Sequence, residues 1–304
     1  AEFTDPGSYT ATLTDANGCT KVAGVTVTEN VVQPNAIVAP GPTLTCTVNQ
    51  ATLSGAGSSQ GASFSYLWTT VGGNIVSGAT TLSPVVNGCG TYTLKVTNNT
   101  NGCTNTASTI VDCEIDPPNI SATNNGPLTC TVLNVTLNGA STTPGATYQW
   151  SGPNGFSSTL PNPTTNALGV YTLVITNPAN SCTSSATSVV SQNIAVPTDT
   201  THVSGIITCA IDSVQIFMTT NIQNGTYLWT GPNGFTSTQK KDTIAVPGNY
   251  IGVVTNPVNG CKGRDTITVV QNITAPGATA AASGPITCTT GTVQLTGGPS
   301  GQNT

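Results

Sequence analysis

The stretch that decides the fold reads LTCTVLNVTLNGASTTPGATYQWSGPNGFSSTLPNPTTNALGVYTLVITNPANSCT, from Leu128 to Thr183. It places a cysteine in a Leu-Thr-Cys-Thr segment, followed by Tyr-x-Trp, a Gly-Pro-Asn-Gly turn, Gly-x-Tyr and a second cysteine. The same features return 79 positions later, and an earlier copy is a few residues longer before its tyrosine. A fixed period of this length is the signature of a tandem array of small modules.

Proline marks each predicted module junction, at Pro34, Pro118, Pro197 and Pro276, with spacings of 84, 79 and 79 residues. These junctions predict three complete modules and two partial ones. Residues 1–34 end one module, 35–118 form a module with an extra cysteine pair, 119–197 and 198–276 form two more, and 277–304 begin another.

Inside each module the apolar residues alternate with a period of two, which is typical of β-strands with one buried face. About seven short strands in roughly 80 residues predict an antiparallel, immunoglobulin-like β-sandwich. We therefore predict an all-β fold, a tandem array of such sandwiches that forms an extended rod. Both aromatics of each Tyr-x-Trp strand should face the core. The aromatic residues that we assign to the three cores are Trp68, Trp150, Trp229, Tyr92, Tyr171 and Tyr250.

The composition excludes several classes of function. Charged residues make up 6% of the chain, against roughly 25% in an average globular protein. The net charge of −5 is spread thinly, so no basic footprint for nucleic acid or for a membrane surface is present. No apolar run approaches the ~20 residues of a membrane-spanning helix. The chain does not begin with Met, and we expect it to be an internal piece of a longer mature polypeptide.

Ten cysteines and a single histidine, His202, favour disulfides over a metal site, because zinc sites use closely spaced cysteine and histidine ligands. Closing a loop of just over 50 residues would stabilise a small module by about 4 kcal/mol in the chain-entropy model. We predict one bond within each module and a cross-strand bond in the first. These are Cys46–Cys103, Cys130–Cys182, Cys209–Cys261 and Cys89–Cys113; Cys19 and Cys288 should have partners outside the given chain.

A family likeness is carried by Tyr148-Gln149-Trp150 with Gly152-Pro153-Asn154-Gly155-Phe156, and by Pro6-Gly7-Ser8-Tyr9 through Asn17-Gly18-Cys19. Over essentially its whole length the chain resembles the PKD-like and Ig-like repeats of giant surface adhesins of Bacteroidetes-type bacteria, including gliding-motility adhesins. It departs from typical PKD domains, since Ser-Gly-Pro and Thr-Gly-Pro follow Trp150 and Trp229 in place of an Asp-Phe-Gly-Asp-Gly-type segment. The resemblance implies an exported, filament-like protein of the bacterial cell surface, delivered by the type IX secretion route.

Other readings of individual residues are weaker. One histidine cannot supply a Ser-His-Asp constellation that recurs across modules, and we predict neither enzymatic activity nor a cofactor. Asp112, Glu114 and Asp116 alternate beside a junction and could hold calcium. The alternative is a solvated acidic segment without a ligand, which agrees with the uncharged Gln and Asn at the equivalent junctions. The three tryptophans could stack on sugars, but their place in an alternating strand favours the core.

The predicted function is a structural or adhesive repeat region of an extracellular bacterial surface fibre or adhesin. Its partners would be the neighbouring modules of the same chain, further copies that associate laterally through Thr-rich edge strands, and a glycan or another surface ligand. One alternative is a set of carbohydrate-binding accessory modules of a secreted enzyme. Another is a filament subunit that polymerises through its incomplete ends.

Overall fold

The computed structural model describes residues 1–300, which form β-strands joined by turns and two short 3-10 segments, Pro153–Gly155 and Pro232–Gly234. The chain divides into two compact units. The first contains Ala1–Ala122, Gly139–Pro161 and Thr172–Thr187, and the second contains Thr123–Asn138, Asn162–Tyr171 and the residues from Ser188 on. None of the helices within residues 1–300 is long and apolar enough to cross a membrane.

The chain begins with an antiparallel hairpin of β1 (Gly7–Thr14) and β2 (Thr20–Val27). Asp15 shapes its turn, since the carboxylate accepts the backbone N–H groups of Asn17 and Cys19 at 2.9 Å each. Gly18 has a φ of 83°, a conformation that a residue without a Cβ adopts at no steric cost.

The first predicted module, 35–118, contains two sheets. The larger sheet has the order β3-β9-β8-β5 and the smaller one β4-β7-β6. The short β3 pairs in parallel with the end of β9, Thr43 opposite Asp112 and Thr45 opposite Glu114. The strands are β3 (Thr43–Thr45), β4 (Ala51–Thr52), β5 (Phe64–Val71), β6 (Ile75–Ser77), β7 (Val85–Val86), β8 (Gly90–Asn98) and β9 (Thr104–Glu114).

The second predicted module, 119–197, has sheets of order β14-β13-β16-β17 and β10-β12-β15, and a parallel pair of β11 with β18. Its strands are β10 (Ser121–Asn124), β11 (Leu128–Thr129), β12 (Val135–Ala140), β13 (Thr147–Ser151), β14 (Ser157–Ser158), β15 (Thr164–Thr165), β16 (Gly169–Thr176), β17 (Thr183–Val190) and β18 (Gln192–Asn193).

The third predicted module, 198–276, repeats this arrangement with sheets β23-β22-β25-β26 and β19-β21-β24 and the parallel pair β20–β27. A last antiparallel hairpin, β28–β29, follows it. The strands are β19 (Asp199–Val203), β20 (Ile207–Thr208), β21 (Val214–Thr220), β22 (Thr226–Thr230), β23 (Thr236–Ser237), β24 (Lys241–Ile244), β25 (Gly248–Thr255), β26 (Lys262–Val269), β27 (Gln271–Asn272), β28 (Gly277–Ala282) and β29 (Leu295–Ser300).

Each complete module is built around one buried tryptophan. Trp68, Trp150 and Trp229 are at most 2% exposed, because alternate residues of their strands point inward. In the first module the core around Trp68 contains Leu44, Leu53, Val86, Tyr92, Leu94, Val96 and Val111. In the third module the core around Trp229 contains Ile207, Val214, Ile216, Met218, Ile244, Tyr250, Val254 and Val269.

The tyrosine of each Gly-x-Tyr motif forms a tyrosine corner. Tyr92, Tyr171 and Tyr250 are buried, and each hydroxyl donates to the backbone carbonyl four residues earlier, on Gly88, Ala167 and Val246 respectively. Tyr9 makes the same bond to Asp5 in the first hairpin. A buried tryptophan together with this corner is characteristic of immunoglobulin-like sandwiches. The predicted all-β, Ig-like tandem array is confirmed, while the proline boundaries of the modules stay a prediction.

The tyrosines of the Tyr-x-Trp strands were predicted to face the core, but they lie only at its edge. Tyr66, Tyr148 and Tyr227 are half-buried, although Tyr66 and Tyr227 pack against the edge of their cores. A phenolic hydroxyl needs a polar partner, and that of Tyr66 donates to the carbonyl of Ser59 at 3.0 Å. The strand alternation is therefore right, but only its tryptophan reaches the centre.

Phenylalanine at position 68 should destabilise its module more than phenylalanine at 229. The Trp68 indole N–H donates to the Thr81 carbonyl at 2.9 Å, whereas the Trp229 indole N–H is buried without a partner. Trp68→Phe loses a hydrogen bond worth about 1 kcal/mol, and Trp229→Phe removes an unpaired donor. Amide hydrogen exchange of β5 in the first variant should accelerate more than that of β22 in the second; equal or reversed acceleration would contradict this.

Candidate functional site

Two disulfides join successive modules, which corrects the predicted pairing. Cys46 of the first module is bonded to Cys182 of the second, and Cys130 of the second to Cys261 of the third, each with a Cα–Cα distance of 5.0 Å. The predicted bonds Cys46–Cys103, Cys130–Cys182 and Cys209–Cys261 are wrong. Cys103 and Cys209 are free thiols, as are Cys19 and Cys288.

Strand register explains why the first and second cysteines of one module cannot bond to each other. In the first module Cys46 directly follows Thr45, which pairs with Glu114 at the end of β9, whereas Cys103 immediately precedes the start of β9. Eleven residues of strand separate these two positions, or roughly 35 Å at the usual rise of about 3.3 Å per residue. A disulfide requires Cα atoms within about 7 Å, so the two cysteines face opposite neighbours.

The third module has the same register. Thr208, just before Cys209, pairs with Asn272 in β27, whereas Cys261 lies just before β26 begins at Lys262. The first cysteine of a module therefore lies at the end of the module where its last strand finishes, with β26 and β27 counted as one strand interrupted at Val270. Its second cysteine belongs to the end at which that strand begins.

Each first cysteine lies on a compact turn, which we call the thiol turn. In the first module the N–H of Thr45 donates to the carbonyl of Val48, and the N–H of Val48 donates to the Thr45 hydroxyl, at 2.9 and 3.1 Å. The second module repeats both bonds between Thr129 and Val132 at 2.9 Å. The threonine before each cysteine thus fixes the loop that presents the sulfur, and Cys46 and Cys130 are exposed residues of these turns.

Each second cysteine follows an asparagine two positions earlier, which we call the clasp asparagine. The Asn180 side chain accepts the N–H of Cys182 at 3.0 Å and donates to the carbonyl of Asp116, in the preceding junction, at 2.9 Å. Asn259 accepts from Cys261 and donates to Ala195 at the same distance of 2.9 Å. One buried amide therefore orients the cysteine and binds the junction at once.

The clasp asparagines were missed in the sequence, although the Asn-x-Cys repetition signals them. The first module has the same arrangement, with Asn101 donating to the carbonyl of Val32 at 3.0 Å and accepting from Cys103 at 2.9 Å. The junction prolines are also held, since Asn105 and Ser184 donate to the carbonyls of Pro34 and Pro118.

Thiol turn and clasp meet through backbone as well as sulfur. The N–H of Cys130 donates to the carbonyl of Asn259 at 3.1 Å. Gly260 has a φ of 68°, and a Cβ added there would approach Thr131 to 2.4 Å. Only a glycine lets the Thr131 side chain come so close, so the contact depends on both the missing side chain and the left-handed backbone.

Cys89 and Cys113 are bonded to each other, across β8 and β9 as the strand register predicts. This bond lies inside the first module.

The calcium candidate is not supported. Asp112, Glu114 and Asp116 are all exposed, and across residues 1–300 no group of three or more acidic, histidine or cysteine side chains is placed to hold a metal ion. The backbone matters here instead, because the Asp116 carbonyl accepts the clasp asparagine of the second module.

No protein-family model matches the chain, and no curated protein matches it either. Among solved structures it is similar to the I-band fragment I67–I69 from titin, at 11% identity over 80% of this chain and 100% of that one, with a TM-score of 0.37. It is also similar to three N-terminal domains of the bacteriophage RB49 outer capsid protein Hoc, at 10% identity over 80% and 99% of the two chains, with a TM-score of 0.30. Likeness at these TM-scores supports no conclusion about relatives or activity.

The third module carries a pair of carboxyl groups that the other modules lack. Burial, and then the neighbouring Asp265, raise the pKa of Asp199, whose Oδ2 atom is buried without a partner. The pKa of Asp265 is lowered because its carboxylate accepts the N–H and hydroxyl of Thr201, both at 2.8 Å, and the N–H of Thr266. The two carboxyl groups therefore affect stability in opposite directions.

Asp199→Asn should raise the thermal stability of the third module at neutral pH. A carboxyl whose pKa is raised in the folded state costs stability once pH exceeds its ordinary value, because ionisation is easier in the unfolded chain. The gain should vanish as pH falls below about 4, where the wild-type carboxyl is protonated. Melting temperatures measured from pH 3 to 7 check this, with Asp242→Asn as the control; a gain that is independent of pH would contradict it.

Proposed function

We propose that this chain is a structural and adhesive repeat region of an exported surface protein, in which disulfides between successive modules carry tension past the junctions. The observation that supports this most directly is the pairing of Cys46 with Cys182 and of Cys130 with Cys261. A bond within a module would stabilise that module alone. A bond between modules gives the junction a second covalent connection in addition to the backbone.

The two disulfide loops overlap along the chain. One encloses 136 residues of separation and the other 131, and both contain the segment from Cys130 to Cys182. Every backbone position between Cys46 and Cys261 therefore lies inside at least one loop. Neither an unfolded module nor a broken peptide bond in this region would separate its two ends.

Overlap also limits how far the chain extends under load. The shortest covalent path from Cys46 to Cys261 crosses to Cys182, returns along the backbone to Cys130 and crosses again. About 52 residues then bear the load in place of about 215, and at ~3.5 Å per extended residue this is roughly 180 Å instead of roughly 750 Å. Such a limit suits a protein that is pulled from outside the cell.

The disulfides require an oxidising location, such as the periplasm, the cell surface or the medium. With the likeness to PKD-like adhesin repeats, this supports a place on a bacterial surface, reached by a type IX route. Lateral association through sparsely charged edge strands and a glycan or other surface ligand belong to the same proposal.

The accessory-module alternative is disfavoured by the tryptophans. Sugar-binding platforms need exposed aromatic faces, and Trp68, Trp150 and Trp229 are at most 2% exposed. No side-chain constellation of the described residues favours catalysis over a mechanical role, so the proposed region is non-enzymatic.

A single cut in the third module tests the proposal. A site for a sequence-specific protease inserted at Gly205 lies in an exposed loop with open space around it. It falls between Cys182 and Cys209, outside every loop that bonds within modules would form. After cleavage the chain should run as one band on a denaturing gel without reductant and as two fragments with reductant.

The matched control is Cys261→Ser with the same inserted site. Without its disulfide to Cys130, the cut chain should separate into two fragments even in the absence of reductant. Separation of the cut wild-type cysteine set without reductant would overturn the proposed continuity.

A further inference from the structure

The four free cysteines occupy the same two structural positions as the bonded ones. Cys209 and Cys288 are first cysteines, on thiol turns, and Cys19 and Cys103 are second cysteines, in the last hairpin of a module. Cys103 and Cys209 lie within complete modules, so their surroundings can be compared directly with those of the bonded cysteines.

Cys209 is presented as Cys46 and Cys130 are. The N–H of Thr208 donates to the carbonyl of Ile211 at 2.8 Å, and the N–H of Ile211 donates to the Thr208 hydroxyl at 3.1 Å. The sulfur-bearing residue is exposed, as in the two bonded turns. This thiol turn is therefore formed without its disulfide.

Cys103 lies in a formed but uncovered clasp. Asn101 already binds the junction and the Cys103 N–H, yet Cys103 is half-buried, whereas Cys182 and Cys261 are 0% exposed. A Cβ added at Gly102 would meet nothing within 4 Å, whereas one at the equivalent Gly260 would meet Thr131 of a thiol turn. What the Cys103 clasp lacks is the thiol turn that covers the others.

The two terminal hairpins also expose residues that are buried at the equivalent positions of the complete modules. Leu13 in β1 is 77% exposed, whereas Val96 at the equivalent position is 0% exposed; Leu295 in β29 is 81% exposed, whereas Leu137 is 0% exposed. In the complete modules, the remaining strands of the sandwich bury the residues at these two positions. Leu13 and Leu295 therefore lie where further strands of a module of this type would pack.

We propose that Cys103 and Cys209 are open half-sites of the inter-module disulfide, and that each bonds a cysteine of a further module of this same type. Cys209 takes a second cysteine held by a clasp asparagine, and Cys103 takes a first cysteine on a thiol turn. This rests on the proposed function and extends it, since the overlapping loops then continue in both directions.

Bond formation by exchange balances with a small-molecule disulfide as the oxidant. One cysteine thiolate attacks the oxidant, forms a mixed disulfide and releases one small thiolate. The facing cysteine thiolate then attacks the protein sulfur of that mixed disulfide, forming the inter-module bond and releasing the second small thiolate. The two protein thiols lose two electrons, which reduce the oxidant, and their two protons pass to the released thiolates.

Chains lengthened by one module test both half-sites. A copy of residues 119–197 is inserted between Pro276 and Gly277 in one chain, and between Pro34 and Asn35 in another, with every original residue retained. After oxidation with glutathione disulfide and alkylation with a maleimide, Cys209 should be bonded to Cys182 of the added copy in the first chain. Cys103 should be bonded to Cys130 of the added copy in the second.

Labelling of Cys209 in the first chain should fall at least tenfold relative to the original chain. A control whose added copy carries Cys182→Ser should restore it. The same digest reports Cys46–Cys182 and Cys130–Cys261 of the original modules, which shows folding and tests the proposed function separately. With those bonds intact, continued labelling of Cys209 or Cys103 overturns the half-site proposal alone.

Discussion

The length of the last strand is the constraint on which the rest of the structure depends. In the first module β9 runs from Thr104 to Glu114 and places Cys103 at one end and Cys46 at the other. No rotamer can close such a gap, because disulfide geometry tolerates only a few ångströms between the Cα atoms. The cysteine at each end of a module can therefore bond only to a cysteine of the neighbouring module. The disulfides consequently lie at the junctions.

The sequence predicts the modules well because the signals for a β-sandwich are local. Alternation around Trp150 and the Gly-x-Tyr motif at Tyr171 place buried side chains without knowledge of distant contacts. The cysteine pairing is not local. Loop-closure entropy favours a bond between Cys46 and Cys103 and one between Cys46 and Cys182 by similar amounts, so spacing alone cannot choose. The missing information was the parallel pairing of β3 with the end of β9.

The clasp asparagines show how a polar side chain builds a junction in a chain with few charges. Asn180 and Asn259 are buried, and each satisfies its amide with one bond to its own cysteine segment and one to the preceding junction. Buried polar groups that are fully paired hold a single geometry. Junction, clasp and disulfide thus form one unit, to which Asp116 contributes its backbone carbonyl.

Disulfide mapping by mass spectrometry of a non-reduced digest tests the central claim most directly. With free thiols alkylated before unfolding, the account predicts linked peptides that contain Cys46 with Cys182 and Cys130 with Cys261, and alkylated Cys103 and Cys209. Linked peptides that contain Cys46 with Cys103, or Cys130 with Cys182, would show that the bonds lie within modules and would contradict it.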